Sequence, residues 1–143
     1  MTTTKTYLGF DYGLQRIGVA VGQSITGTSR PLITVKCDNG APDWEHISKL
    51  FEEWKPDAIV VGVPLHMDGS EQEMTKNAKR FARRLEGRYN IQAFTMDERL
   101  SSRRAEEQIA KRRAAGIGKR SKSGDCDKIA ASIILQDWLD SAT

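Results

Sequence analysis

The sequence predicts a single α/β domain built on a mixed β-sheet, antiparallel in its first half and parallel in its second. Three short apolar runs with brief connections open the chain, a pattern typical of an antiparallel meander. Helical and strand patterns then alternate, which is typical of parallel strands joined by crossover helices. A chain of 143 residues fits one domain and can bury a core without disulfides. We therefore expect one domain over residues 1–143, with helices covering a five-stranded sheet.

The predicted meander consists of three strands, at residues 7–10, 17–21 and 32–35. Asp11 ends the first apolar run and stands where a chain leaves a sheet edge. Gly18 and Gly22 are weak points in the second run, because glycine lowers strand propensity. The stretch 23–29 is rich in turn-forming residues and predicts a loop before the third strand.

Helix and strand patterns alternate in the middle of the chain. Residues 43–54 predict a helix capped by Asp43, with apolar side chains recurring on one face. Residues 58–63 are continuously apolar, as expected for a strand that is buried on both faces. Ser70 and Glu73 match a capping box and predict the start of the second helix.

The last third of the chain is predicted to hold one more strand and two more helices. The strand covers residues 91–96, and a helix follows it from residue 101 or 102 to about residue 115. Residues 116–124, which are rich in glycine, serine and lysine, are predicted to form a loop. The last helix is the most apolar, and Asp125 or Cys126 begins it.

Composition excludes several classes of protein. Hydrophobic residues make up 38% and charged residues 29%, which argues against wholesale disorder. No apolar run has the length of a membrane span, and the polar first residues do not match a signal peptide. We therefore expect a cytoplasmic protein with no membrane partner. The two cysteines and two histidines lack the spacing of a zinc site, so any metal must be held by oxygen.

Charge is distributed unevenly along the chain. The first 75 residues contain 6 Lys and Arg against 10 Asp and Glu, whereas the remainder contains 16 against 9. A one-sided basic surface attracts polyanions. Charged helices are also common as plain solvated faces, so this asymmetry favours a nucleic-acid partner only modestly.

Three acids stand at ends of predicted elements: Asp11 after the first strand, Glu98 after the fifth, and Asp127 in the first turn of the last helix. Each alone has an ordinary interpretation, as a turn residue or as a carboxylate at a helix start. Together they could meet at one edge of the sheet. Two carboxylates about 4 Å apart repel by roughly 4 kcal/mol at an effective dielectric constant of 20, so such a cluster needs protons or cations.

Carboxylate oxygens select hard cations, so we expect Mg²⁺ or Mn²⁺ as the cofactor. Two such ions about 3.5–4 Å apart can activate a water and stabilise the leaving oxygen of a phosphodiester. That chemistry needs a polyanionic substrate, which the basic half of the chain could bind. The hypothesis is a metal-dependent phosphodiesterase.

Several segments resemble the motifs of one family, the YqgF (RuvX) family. They are FDYG at 10–13, RIGVAVG at 16–22, VGVPL at 61–65, MDG at 67–69, DERLS at 97–101 and DKIAA at 127–131. The resemblance covers nearly the whole chain in order. It implies a ribonuclease H-like fold, as in the Holliday-junction resolvase RuvC, with five strands in the order 3-2-1-4-5. It also implies a nuclease that matures the 5′ end of precursor 16S ribosomal RNA in ribosome biogenesis.

Carried over by position, the resemblance makes Asp11, Glu98 and Asp127 both the catalytic residues and the metal ligands. RuvC-type resolvases often carry another acid one turn into the last helix, where this chain has Ala130. In the implied strand order, the fifth strand lies two neighbours from the first, about 10 Å away. Glu98 must therefore lean inward, or metal ions must bridge the gap.

Basic side chains are the candidate contacts to nucleic acid, and few aromatic residues are interleaved with them, which favours binding to the backbone. The basic residues of the helix after residue 70 are candidates too, although a plain solvated face explains them equally well. His66 stands where the family usually has Asn, and it is either a substrate contact or a surface loop residue. The predicted nucleic-acid-binding residues are Arg16, Arg99, Arg103, Arg104, Lys119, Arg120 and Lys122.

Three other functions compete with the RNA nuclease. A Holliday junction resolvase would use the same chemistry on branched DNA, and a homodimer would suit it because two strands are cut together. A non-catalytic nucleic-acid-binding factor would not need all three acids. An actin-like phosphotransferase also has Asp-x-Gly after a strand, but this chain is too short for a second lobe.

The expected partner is structured RNA, with DNA junctions and ribosomal particles as alternatives. The chain is expected to act as a monomer or a homodimer.

Overall fold

The computed structural model describes residues 4–98 and 123–141. Within them it contains six strands and three helices. In chain order these are β1 (Thr6–Asp11), β2 (Arg16–Gln23), β3 (Thr28–Asp38), β4 (Ala41–Pro42), α1 (Trp44–Trp54), β5 (Ala58–Val63), α2 (Glu73–Tyr89), β6 (Gln92–Asp97) and α3 (Ser123–Ser141).

The strands form one mixed sheet in the order β4-β3-β2-β1-β5-β6. β1, β2 and β3 form the predicted antiparallel meander, and β5 and β6 run parallel to β1. The mixed α/β class and the relative order of the five main strands are therefore confirmed. The predicted strand count of five is wrong, because the two-residue β4 extends the sheet beyond β3.

A tight turn explains the additional strand. Asn39 and Gly40 have φ values of +49° and +89°, and they connect the paired residues Asp38 and Ala41. Two central residues with positive φ form the hairpin turn whose twist matches that of the flanking strands. The Asn-Gly dipeptide is the sequence signal for this turn, and it should have predicted a hairpin here.

β3 is also longer than predicted, because it begins inside the stretch that we expected to be a loop. The register between β2 and β3 shifts next to Val19. Val19 pairs with Ile33, but the next residue, Ala20, pairs with Pro31, so Leu32 is skipped. A bulge accommodates a proline in a strand, since proline cannot donate a ladder hydrogen bond. Pro31 therefore does not end the strand.

The sheet separates two hydrophobic layers. α1 and α2 cover one face, where the larger core includes Phe10, Ile17, Val61 and Phe81. α3 covers the other face, where Val60 and Leu135 are buried together with Ala20, Ala131, Ile134 and Leu139. Alternate residues of each central strand face opposite layers, as the period of a strand requires.

The two covering helices begin differently with respect to the prediction. The Asp43 side chain accepts a hydrogen bond from the His46 N–H and caps α1, as predicted. α2 begins at Glu73 with a capping box formed by Gln72 and Thr75, so the predicted capping role of Ser70 is wrong. Ser70 is held instead in the preceding loop, where its backbone N–H and its hydroxyl both donate to the Asp68 side chain.

α3 begins at Ser123, two or three residues before the predicted start at Asp125 or Cys126, and the predicted helix at 101–115 lies outside the described residues. Of the predicted 116–124 loop, only the last two residues are described, and both belong to α3. None of the helices in the described part of the chain is long and apolar enough to cross a membrane.

Candidate active site

Asp11 is the last residue of β1, in the centre of the sheet. It pairs with Gly18 of the antiparallel neighbour β2. Gly9, two residues earlier, lies against Leu135 of α3, so Asp11 faces the same layer by strand alternation. The first predicted acid therefore lies at the strand end beneath the start of α3.

Glu98 reaches toward Asp11 over the intervening strand β5. Its backbone N–H donates to the Val63 carbonyl at 3.2 Å, which extends the β5–β6 pairing by one residue. A Cβ atom added to Gly62 would lie 2.6 Å from the Glu98 Oε2 atom. The carboxylate and the Ile134 side chain thus share the space that a side chain on β5 would fill. This inward lean bridges the separation of about 10 Å that two strand spacings impose.

Asp127 approaches from above, in the N-terminal part of α3. A Cβ atom at Gly18 would lie only 2.0 Å from the Asp127 backbone oxygen, so the helix backbone rests directly on β2. Further along the same helix, a Cβ at Gly9 would lie 2.8 Å from the Leu135 Cβ atom. Glycines without side chains thus let α3 pack closely on the central strands and bring Asp127 over the end of β1.

The Asp11 and Glu98 carboxyl groups interact directly. Burial raises the pKa of Asp11 well above its ordinary value of 3.8, and the charge of Glu98, a hydrogen bond with Glu98 and the charge of Asp127 raise it further. Burial also raises the pKa of Glu98, whereas the hydrogen bond with Asp11 lowers it and the charge of Asp97 raises it. Two adjacent charged carboxylates would repel each other, so the hydrogen-bonded pair favours holding one proton between its two members.

The third acid is engaged elsewhere. The Arg16 Nε atom donates to Asp127 Oδ2 at 2.9 Å, with the two side chains 45% and 27% exposed. Within residues 4–98 and 123–141, no three His, Cys, Asp or Glu side chains form a group that could hold a metal ion as arranged. This agrees with the contacts: two acids share a hydrogen bond, and the third faces a guanidinium group.

The donor set nevertheless fits a hard divalent cation. Asp11, Glu98 and Asp127 offer only carboxylate oxygens, and their charges act on one another. A proton between Asp11 and Glu98 and a guanidinium beside Asp127 are the positive charges that this cluster now uses. Mg²⁺ and Mn²⁺ prefer such oxygen ligands, and a cation can take the place of both positive partners.

The other predicted site residues divide into two groups. Arg16 contacts Asp127, and His66 is exposed in the loop after β5, where its backbone groups bond with Ser70 and Gly69. Their roles in nucleic-acid binding stay predictions. The remaining predicted contacts lie outside the described residues, namely Arg99, Arg103, Arg104, Lys119, Arg120 and Lys122.

Sequence reasoning missed the two glycines that shape the site. Gly18 appeared to be a weak point of the second strand, and Gly62 was only one residue of a buried apolar run. Both provide room for neighbours: Gly18 for the α3 backbone, and Gly62 for the Ile134 side chain and the Glu98 carboxylate. A glycine inside a strand often marks close approach by another chain segment, and that signal could have identified both positions.

Solved structures share this architecture at low sequence identity. The fowlpox virus Holliday junction resolvase superposes with a TM-score of 0.59 at 13% identity, covering 95% of this chain and 99% of that one. T. thermophilus RuvC in complex with a Holliday junction substrate gives 0.57 at 15% identity, covering 96% and 95% of the two chains. At these identities the likeness shows the fold alone, and it confirms the predicted RuvC-like, ribonuclease H-like architecture.

Sequence comparison defines the family. A curated protein of Pseudomonas putida KT2440, named "Putative pre-16S rRNA nuclease", is 52% identical over 145 residues that span both chains completely. A protein of the same name from Pseudomonas fluorescens SBW25 is 53% identical over 140 residues, covering 97% of this chain and 94% of the relative. The family model described as "RuvX: Holliday junction resolvase" matches residues 5–141. The chain therefore belongs to the RuvX family.

Proposed function

We propose that this protein is a Mg²⁺- or Mn²⁺-dependent nuclease that hydrolyses phosphodiester bonds of structured RNA, using Asp11, Glu98 and Asp127. The observation that carries the proposal is the buried Asp11–Glu98 carboxyl pair at the end of the central strand. A fold does not require two acids to share a hydrogen bond there, and desolvation makes the arrangement costly. Such a pair is typical of a site that binds a cation or transfers a proton.

Asp11 and Glu98 would hold the ion, and Asp127 would complete the ligand set after releasing Arg16. When bound, divalent ions of this kind activate water and stabilise the leaving oxygen of a phosphodiester. The reaction adds water to phosphorus and breaks one P–O bond. With the 5′-phosphate products expected for the family, the leaving oxygen takes the proton and becomes a 3′-hydroxyl group.

Arg16 has a second task in this proposal. Its guanidinium lies beside the acid cluster and is nearly half exposed, so it can exchange Asp127 for a phosphate oxygen. Guanidinium groups bind phosphates through paired hydrogen bonds, whereas a carboxylate released from such a pair becomes available to a cation. Binding of a substrate phosphate to Arg16 would therefore favour binding of the cation to Asp127, and binding of the cation would favour binding of the phosphate.

The substrate that we propose is the 5′ end of precursor 16S ribosomal RNA. The support is that curated relatives about half identical over the whole chain carry the name of a pre-16S rRNA nuclease. The basic second half of the chain suits a polyanion of this kind. Ribosomal particles are then the natural partners, and the cytoplasm is the compartment where they assemble.

A resolvase is the second candidate. The description of the matching family model and the solved structures with similar folds both concern Holliday junctions. The same three acids would cut DNA as well as RNA, since the chemistry acts on the backbone. The two candidates therefore differ in the shape of the substrate and in the need for a dimer.

One experiment separates these functions. Precursor 16S RNA and a four-way DNA junction are incubated in parallel with the purified protein and with Mg²⁺, Mn²⁺ or EDTA. We expect cleavage of the RNA with either metal, none in EDTA, and none by Asp11→Asn, which should stay folded because an amide replaces a carboxyl that is already hydrogen-bonded. Preferred cutting of the junction would favour the resolvase. RNA cleavage by Asp11→Asn at the wild-type rate would refute the assignment of the site.

A further inference from the structure

A basic cleft lies next to the proposed active site, on the face of the sheet that α1 and α2 cover. Asn77, Arg80 and Arg84 line it from α2, and Tyr12 lines it from the loop after β1. The three α2 residues are spaced by three, four and seven positions, so they share one side of the helix. The cleft is shallow and opens to solvent.

Tyr12 forms a fixed wall of the cleft. Its hydroxyl donates to the Gly40 carbonyl at 2.8 Å, and its ring lies 5.0 Å from the Phe81 ring. Burial raises the pKa of Tyr12 and the charge of Cys37 raises it further, whereas the charges of Arg84 and Arg80 lower it, so both guanidinium groups act on this ring. The hydroxyl proton is already used, and the cleft presents a rigid aromatic surface below two positive charges.

The polar groups that line the cleft are mainly hydrogen-bond donors. Arg80 and Arg84 are exposed, and in the part of the chain that the structure describes neither forms an ion pair. By contrast, Lys79 on the adjacent side of α2 is paired with Glu71 at 3.0 Å. Two unneutralised guanidinium groups beside an amide form a donor set that suits a phosphate group.

The position of the cleft connects it to the acid cluster. Tyr12 directly follows Asp11, and consecutive Cα atoms are about 3.8 Å apart. The two side chains lie on opposite faces of the sheet, so the sheet edge at the end of β1 separates the cluster from the cleft. A nucleic-acid strand that crosses this edge would therefore present one backbone phosphate to each.

We propose that the Asn77–Arg80–Arg84 cleft beside Tyr12 binds a backbone phosphate of the nucleic acid close to the bond that is cut. The inference rests on the proposed nuclease function and adds a second anchoring point to it. Phosphate contacts fix the register of a strand without reading its sequence. The cleft accordingly positions the substrate and takes no part in the chemical step.

The test removes equal charge from two places on the same helix. Arg80→Ala/Arg84→Ala removes both guanidinium groups from the cleft. The control Lys76→Ala/Arg83→Ala removes two exposed cations of α2 that do not line it. Both doubles are made in the Asp11→Asn background, and binding of a fluorescent RNA hairpin is titrated in EDTA at several salt concentrations. Alanine favours helix, so α2 is expected to persist in both.

We expect the cleft variant to bind at least about tenfold more weakly, since bonds from charged donors to phosphate are lost. A plot of the logarithm of the association constant against the logarithm of the salt concentration has a negative slope. The magnitude of this slope should decrease by about 0.7–0.9 for one lost phosphate contact, and the control variant should change it much less. Equal slopes for the two doubles would overturn the proposal. If Arg80→Ala/Arg84→Ala unfolds, the single variant Arg84→Gln gives the same comparison against Arg83→Gln.

The binding measurement does not depend on cleavage, so the two ideas can fail separately. A cleft-specific loss of binding in a protein that cuts no RNA would uphold the phosphate site and reject the nuclease. Cleavage together with equal salt slopes would uphold the nuclease and reject the cleft. In the cutting-competent background, the cleft variant should raise KM with little change in kcat, because uniform binding is lost.

Discussion

Gly18→Ala tests whether close packing of α3 on β2 sets the position of Asp127. The added Cβ would lie 2.0 Å from the Asp127 backbone oxygen and 2.7 Å from the Lys128 backbone nitrogen. Ordinary contacts begin near 3.4 Å, so the helix start must move by about 1.4 Å. Backbone atoms cannot rotate away as a side chain can, and the movement is transferred to the carboxylate.

The expected cost has two parts. Overpacking a well-packed interior costs about 1–3 kcal/mol, which lowers the Tm of a chain of this size by about 3 °C per kcal/mol. Displacing a catalytic group by about 1 Å lowers the rate by about 100-fold. Thermal unfolding measures the first effect, and single-turnover cleavage of precursor RNA measures the second.

Gly87→Ala is the matched control, because the same methyl group is added where no heavy atom lies within 4 Å. Gly87 is exposed inside α2, so alanine should stabilise the protein by about 0.5–1 kcal/mol and leave cleavage unchanged. Gly9→Ala meets the Leu135 Cβ and the Ala131 backbone oxygen, which lie further along α3 from Asp127, so it should lose stability with a smaller loss of rate. Wild-type cleavage and Tm in Gly18→Ala would refute the reasoning.

Three further predictions concern the acid cluster. The pKa of Asp11 is raised in the folded state, so without metal the folded protein favours the protonated form of Asp11. The contribution of this group to the free energy of unfolding is complete below pH about 4 and should be lost as the pH rises through the folded-state pKa. In EDTA the Tm of Asp11→Asn should therefore exceed that of wild type increasingly from pH 4 to pH 8, and parallel curves would contradict this. Arg16→Gln should strengthen Mn²⁺ binding, because the Asp127 carboxylate is released from its ion pair. An exposed ion pair limits the gain to about fivefold in affinity. Titration calorimetry measures the affinity, and unchanged or weaker binding would contradict the prediction. Gly62→Ala should push the Glu98 carboxylate about 0.8 Å from its place and lower the cleavage rate by about 10–100-fold, as single-turnover assays would show; wild-type rates would contradict it.

Local signals predicted the elements whose patterns are strong. The continuous apolar run that became β5 and the Asp43 cap of α1 are read directly from neighbouring residues. The start of α2 was wrong because two overlapping patterns compete there. Ser70 satisfies the capping motif, but its bonds to Asp68 commit it to a turn, and only the folded loop shows which pattern prevails.

The sequence singled out three candidate acids, but it did not predict their geometry. The order of strands placed Glu98 too far from Asp11, and nothing local to Glu98 indicates how the gap is closed. The answer lies in Gly62, on a different strand, and it depends on the register between β5 and β6. Non-local pairing of this kind has no signature in the spacing of the chemistry-bearing residues.

The hydrogen bonds between α3 and the β2–β3 turn have a mechanical consequence. The Ser29 hydroxyl donates to the Ser132 carbonyl at 2.6 Å, the Ser29 N–H donates to the Gln136 side chain at 2.9 Å, and that side chain donates to the Gly27 carbonyl at 2.8 Å. These bonds hold the middle of α3 against the β2–β3 turn. Asp127 lies less than two helical turns from Ser132, so a displacement of the β2–β3 turn would be carried along α3 to the Asp127 carboxylate.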